Sequence, residues 1–443
     1  MKRKGCVLSV AFAGLFGLIM LAGCGNSNSS PAAPASAVQQ YATTSAVGDF
    51  AEWTIDSSVT PNTFTVVWNV IDTSGNISKT MVISGTCGDA DATYYYRTCT
   101  VTNSSDANVQ VGGSFQILEM PGVALFVHPD AAARGSGTGA DEIHVGFTLG
   151  ACTSDSGAGE YVFTRVLPVS NPYETEMLGM YRITPSFISS DYNGALLHSG
   201  FAVEENGTSF DMIYNLASPT HGSTDQGSFN GVDTFTGNCS GGVITMTQAG
   251  SGMPMRGVIT SSGLMFFDGP ESFGGLVSAR TNVAATIDDV AGKSLIIVWQ
   301  NASLGACSGA QGCTDLIRVT FGAKDGTGKV PAIFTSLAAQ TISAMGFRAA
   351  SDLNAGTRFN SVNSGYSNNA FSQTYPQPAN IPGLFYSDEV ATGNESPTLL
   401  MIASVGGKLL VFGNNSTRTN PGQCLNGVGT CDRASGNFVG FEP

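Results

Sequence analysis

What most constrains this chain is a rhythm. Short runs of β-branched and aromatic residues recur along most of its length, and clusters of Gly, Asn, Asp, Ser and Pro break them up. Thr63–Ile71 is the clearest run, and Thr93–Arg97, Phe115–Leu118, Val123–Val127, Ile143–Thr148, Tyr161–Leu167, Leu295–Gln300 and Leu316–Phe321 read alike. Branched and aromatic side chains suit a pleated, half-buried surface, and the clusters between them supply turn conformations. Helical spacing is rare. Thr335–Met345 is compatible with a helix and equally with a strand. The expected fold class is therefore all-β, with mostly antiparallel strands.

Antiparallel strands with one apolar face must hide that face and their edges, either beneath a second sheet or by closing into a barrel. Small barrels and two-sheet sandwiches both satisfy this, and the periodicity does not choose between them. An internal echo suggests how many such units there are. Gly122–His128, Gly263–Gly269 and Gly407–Gly413 each carry an apolar, aromatic strand after a glycine. Each is followed, after a polar connection, by a second aromatic strand: Glu160–Thr164, Ser272–Val277 and Asn437–Glu442. Read as closing hairpins, these mark two or three β modules, near residues 45–170, 171–283 and 284–443. Cys152 and Cys431 fall in matching places before the second strand. A length of 443 residues suits that number of domains.

The N-terminus carries an address. Met1-Lys2-Arg3-Lys4 is cationic, and an apolar run from Val7 to Leu21 follows. This layout is that of a secretory signal, and the run falls short of the roughly 20 residues a spanning helix needs. It ends in Leu21-Ala22-Gly23-Cys24, which resembles the lipobox of bacterial lipoproteins. That resemblance implies a signal peptide over residues 1–23, cleavage between Gly23 and Cys24, and acylation of Cys24. Residues 24–44 then form a tether, and their Ser, Asn, Pro and Ala content offers little to bury. In that family an Asp directly after the cysteine often retains the protein at the inner membrane. Gly25 stands there, so the expected location is the outer membrane, on its periplasmic face or at the cell surface.

Charge excludes one class of partner. Without Lys2, Arg3 and Lys4 the 19 basic side chains fall to 16 against 33 acidic ones, a net of −17. Phosphate binding needs clustered Lys and Arg, so no nucleic acid is expected. The membrane, reached through the N-terminal lipid, is the expected partner, together with an envelope protein or small ligand the residues do not name.

Eight cysteines remain once Cys6 and Cys24 are set aside: Cys87, Cys99, Cys152, Cys239, Cys307, Cys313, Cys424 and Cys431. An even number in an exported chain reads as disulfides. Proximity suggests Cys87–Cys99, Cys307–Cys313 and Cys424–Cys431, and subtraction then leaves Cys152–Cys239. No C-x-x-C occurs, and no His stands at ligand spacing from a cysteine pair, so neither a metal nor a cofactor is expected.

Catalytic signatures are scarce. Four histidines exist, and no G-x-S-x-G is present. Gly237-Asn238-Cys239-Ser240-Gly241 resembles that turn with Cys at the nucleophile position, where a disulfide is the expected state. His128-Pro129-Asp130 and Asp141-Glu142-Ile143-His144 read as solvated loop residues flanking strands. His221–Asp225 reads as a polar turn. Glu204-Glu205, Asp288-Asp289 and Asp388-Glu389 are adjacent acids, which point to opposite faces of a strand and so do not make a glycosidase pair. Asp89 and Asp91 share a face and could touch Ca²⁺, but they lack an EF-hand's Gly and Glu. Asp325–Lys329 suits a hairpin turn better than a phosphate loop. Trp53, Trp68, Trp299 and Tyr94-Tyr95-Tyr96 could line a sugar or apolar ligand site, or simply fill a core. No catalytic residue is nominated. The expected role is a non-catalytic binding or structural one, against two alternatives: an exported hydrolase of polysaccharide or ester, and a surface adhesin.

Overall fold

A computed structural model describes residues 37–45, 48–92, 95–130, 132–133, 143–150, 159–166, 178–188, 191–198, 202–206, 209–213, 231–248, 251–269, 275–301, 314–324, 330–336, 362–367, 383–387, 398–415 and 436–443. The fold is all-β. Strands β1 (Val38–Ser45), β2 (Phe50–Asp56), β3 (Asn62–Ile71), β4 (Ile77–Cys87), β5 (Tyr96–Ser104), β6 (Ser114–Met120), β7 (Ala124–Pro129) and β8 (His144–Thr148) close into a first barrel. The second is built from β9 (Gly159–Val166), β10 (Leu178–Ile188) and β11 (Asp191–His198). After an inserted hairpin of β12 (Ala202–Asn206) and β13 (Ser209–Ile213) it continues through β14 (Gly231–Ser240), β15 (Val243–Gln248), β16 (Pro254–Ile259), β17 (Leu264–Asp268) and β18 (Gly275–Arg280). A 3₁₀ turn and a short helix, α1 (Ile287–Val290), lead to the third. It comprises β19 (Ser294–Asn301), β20 (Thr314–Phe321), β21 (Val330–Ser336), β22 (Val362–Ser367), β23 (Leu384–Ser387), β24 (Thr398–Val405), β25 (Lys408–Asn415) and β26 (Gly436–Phe441). In each barrel neighbouring strands run antiparallel and the last pairs with the first, so closure removes every edge.

A period of two sorts the first barrel's side chains. On β2, Ala51, Trp53 and Ile55 point inward, and on β3 so do Phe64, Val66 and Trp68. With Tyr41, Met81, Ile83, Phe115, Ile117, Leu125 and Val127 they fill the interior. The ring of Trp53 stands at 90° to that of Phe115, 5.2 Å between centroids, and Phe64 meets Phe115 at 5.6 Å. Eight strands enclose a space that side chains can fill, and here aromatic rings fill it. Val109 and Ala133, from the β5–β6 and β7–β8 connections, join the same cluster.

The outward residues of the closing strands are also buried. Phe50, Leu118, Phe126 and Phe147 of the first barrel join Leu264, Phe266 and Val277 of the second. Ile296, Leu316, Leu410, Phe412 and Phe441 of the third complete one common apolar core. This is why β7 (ALFVHP) and β17 (LMFFD) are apolar without alternation: every residue of both is buried, one face in a barrel and the other between barrels.

Two of the three echoed hairpins pair as the sequence suggests, β17 with β18 and β25 with β26. The first does not. β7 pairs with β8, while Glu160–Thr164 lies on β9, which opens the second barrel between β10 and β18. Both His144–Thr148 and Gly159–Val166 are strands, and only the partner β1 on the far side of the closure selects the former. The first module therefore ends at Thr148 and the second begins at Gly159, not at the expected 170/171 boundary. Cys152 falls after the closing strand, so its match to Cys431 fails. Val38–Thr44, expected within the tether, belong to β1. Its Tyr41 and Ala42 are buried on opposite faces, Tyr41 in the barrel interior and Ala42 in the core common to the barrels.

Candidate functional site

Two buried polar groups occupy the first barrel, one towards each end. In the β1–β2 turn Asp49 accepts hydrogen bonds from Trp68 Nε1 at 2.8 Å and from the Ile71 backbone N–H at 3.1 Å. Trp53 Nε1 donates to Thr43 Oγ1 at 3.2 Å, and that hydroxyl lies 3.4 Å from Nδ1 of His144. The imidazole packs edge-on to Trp68, 4.6 Å between ring centroids. Nδ1 of His144 thus has a hydroxyl beside it, and the nearby Asp49 accepts from two N–H groups. A general base needs reach to a substrate proton. Fully buried and packed against Trp68, this imidazole has no approach for one.

Towards the opposite end, Tyr41 donates to Glu119 Oε1 at 2.9 Å and accepts from the Gly122 N–H at 3.1 Å. Glu119 Oε2 pairs with Arg97 Nη2 at 3.1 Å, with the side chains 4% and 14% exposed. Burial, and after it the charge of Glu119, pushes the Tyr41 hydroxyl far above the ordinary phenol range. This group fastens β1, β5 and β6 together from inside.

The histidines correct an expectation. His128 and His144 lie on β7 and β8, 1% and 0% exposed, rather than in solvated loops. Strand parity decides this for His144, which alternates with the outward Val145 and Phe147. His128 belongs to a strand buried on both faces. His198 ends β11, while Asp141, Glu142 and His221–Asp225 lie outside the described residues. Asp130 accepts from the Ser114 N–H and hydroxyl and from the Ala133 N–H, which holds the β7–β8 loop.

The carboxylate pairs do not converge. Asp289 forms a capping box with Thr286 at the start of α1, and Asp288 pairs with Lys324. Glu204 and Glu205 lie on the inserted β12; Asp388, Glu389 and Asp325–Lys329 lie outside the described residues. Asp89 and Asp91 sit in the exposed β4–β5 loop, and among the described residues no three His, Cys, Asp or Glu side chains could share a metal ion. Tyr96 packs into the common core, whereas Tyr95, at φ +62°, is 39% exposed. The two tyrosines therefore share no surface. Trp53 and Trp68 are core residues and Trp299 lies on β19.

Cys87 and Cys99 are bonded across β4 and β5, where they stand directly opposite each other. Cys239 on β14 is disulfide-bonded too, which removes it as a nucleophile. Cys24, Cys152, Cys307, Cys313, Cys424 and Cys431 lie outside the described residues.

Outside the barrels, a shallow cavity of about 210 Å³ opens on β14–β16, lined among others by Asn238, Thr245, Thr247, Pro254 and Arg256. It holds no carboxylate and no imidazole. Burial lowers the Arg256 guanidinium below its usual value, and its Nη1 donates to the Gly75 carbonyl of the first barrel at 3.1 Å. Directly across from Arg256 in the sheet stands Asp268, 1% exposed. Sequence reading passed over Arg97, Glu119, Arg256 and Asp268. The one available signal for Asp268 was an acid closing an otherwise apolar strand.

No known protein family matches the chain, and no curated protein matches it.

Proposed function

We propose that this chain is a lipid-anchored protein of the cell envelope, acylated on Cys24 and held at the outer membrane, with a non-catalytic binding or structural role. The filled interior of the first barrel carries the second half of this reading. A barrel that transports a small ligand keeps a cavity for it, whereas here Trp53, Phe64, Trp68 and Phe115 occupy that space. A partner of this barrel would therefore be met by its loops and outer surface. Asp49, Glu119 and His144 of the first barrel are engaged with neighbouring protein groups, which speaks against acid–base work there. The bonded Cys87, Cys99 and Cys239 suit an oxidising compartment.

Metabolic labelling with a palmitate analogue tests the anchor. The wild-type chain should take up label and sediment with membranes, and Cys24→Ala should do neither. Equal labelling of the variant refutes acylation at that residue. Turnover of ester or glycoside substrates by the purified body, abolished by one carboxylate substitution, would refute the non-catalytic half.

A further inference from the structure

We propose that the contact between the first and second barrels is a proton-dependent joint, tight while Asp268 carries its proton and loosened when Asp268 ionises. Asp268 ends β17 on the same outward face as Leu264 and Phe266, and that face meets the first barrel. The group facing it there is Thr44, the outward neighbour of Ala42 on β1. Neither oxygen of the Asp268 carboxyl completes a hydrogen bond of normal geometry, nor does the Thr44 hydroxyl. The contact is also tight. Gly275, the cross-strand partner of Asp268, lies so close to Thr44 that a Cβ there would be 2.4 Å from its Oγ1.

Three charged groups act at this place. Asp49, on the β1–β2 turn of the first barrel, repels a second negative charge. Arg256, on β16, attracts one, and Asp72 of the β3–β4 turn lies within the field of Arg256. Burial outweighs the Thr44 hydroxyl, the Arg256 charge and the Gly269 N–H, which all favour the anion, so the Asp268 carboxyl is held well above the usual carboxylate range. Arg256 meanwhile makes a second tie, through Gly75. That glycine, at φ +82°, seats the β3–β4 turn on β16, where a Cβ would stand 2.8 Å from Pro254 Cγ.

Loss of the proton to solvent leaves a carboxylate that must be solvated. Water can enter between Thr44 and Gly275, or the Arg256 guanidinium can swing from the Gly75 carbonyl to the new anion. Each route breaks a tie to the first barrel. The sign follows from linkage. Because the pKa is raised in the closed joint, the stabilisation is complete below the ordinary carboxylate pKa. It is lost as pH climbs from there through the raised value.

Hydrogen exchange of the full chain, corrected for the intrinsic pH dependence of amide exchange, tests this from acid to alkaline pH. Peptides covering Leu264–Arg280 and Asp72–Asn76 should open about tenfold more per pH unit between those two pKa values, then level off. Peptides within Phe64–Trp68 should stay protected. Asp268→Asn keeps the shape without the charge and should give a flat profile. Arg256→Gln leaves Asp268 in place, removes the attracting cation, and should move the levelling-off point to higher pH. A flat wild-type profile, the same rise in Asp268→Asn, or an unmoved levelling-off point in Arg256→Gln overturns the proposal.

Discussion

Phe147 on β8 meets Phe412 on β25 edge to face, 5.6 Å between ring centroids at 89°, although one belongs to the first barrel and the other to the third. The same Phe147 ring lies 6.2 Å from Phe266 of the second barrel. One side chain thus touches all three closed sheets. Each barrel pairs its strand edges within its own closed circuit, so the cohesion among them rests mainly on apolar outer faces such as these.

Truncating that ring should be felt throughout the body. Phe147→Ala removes a fully buried aromatic at the meeting of three barrels, and about 3–5 kcal/mol of unfolding free energy should go with it. Denaturant titration measures the loss. A change under about 1 kcal/mol would mean that the barrels stand independently.

Within the first barrel, Glu119→Gln should be costly for a different reason. It leaves the guanidinium of Arg97 buried with no carboxylate, while Tyr41 retains an acceptor. Breaking a buried pair from one side costs about 3–5 kcal/mol. The double change of Arg97 and Glu119 to Met and Gln should recover part of that loss in the same titration. Equal stability of the single variant and wild type would show that the pair carries little.

Acid should act through Asp106. Its carboxyl is held below the ordinary range, first by the hydrogen bond from Lys79 and also by the Asn108 N–H. A depressed pKa gives stability that is complete above the unfolded value and lost as pH falls through the folded one. Thermal melts of wild type should decline on the acid side more steeply than those of Asp106→Asn. Parallel profiles would remove Asp106 from the account.

Cys239 should be found bonded to Cys152. The β14–β15 turn brings Gly242 against Gly150, where a Cβ would sit 2.4 Å from the Gly150 carbonyl, two residues short of Cys152. Peptide mapping without reduction should recover the cross-linked pair. Recovery of Cys239 joined to any other cysteine would contradict it.

Much of this was readable from local pattern. Thr63–Ile71 alternates because one face meets the barrel interior and the other meets water, and β3 occupies that span. The Cys87–Cys99 bridge needed only proximity along the chain. Partner choice was not readable in the same way. β8 and β9 carry similar local signals, and what separates them is whether β1 or β10 lies alongside. His144 was misplaced for a related reason: its sequence neighbours are acids, but its neighbours in space are Thr43 and Trp68.

The residues alone determined that the chain builds β modules and where their turns fall, and they show an apolar run, Val7 to Leu21, shortly before Cys24, because each of these depends on properties of adjacent residues. Closure of each sheet, the packing of three barrels around one core, and the burial of Asp268 beside Thr44 were decided only in three dimensions. Those outcomes turn on which outer faces meet, and a period of two in a strand says which residues share a face without saying what will cover it.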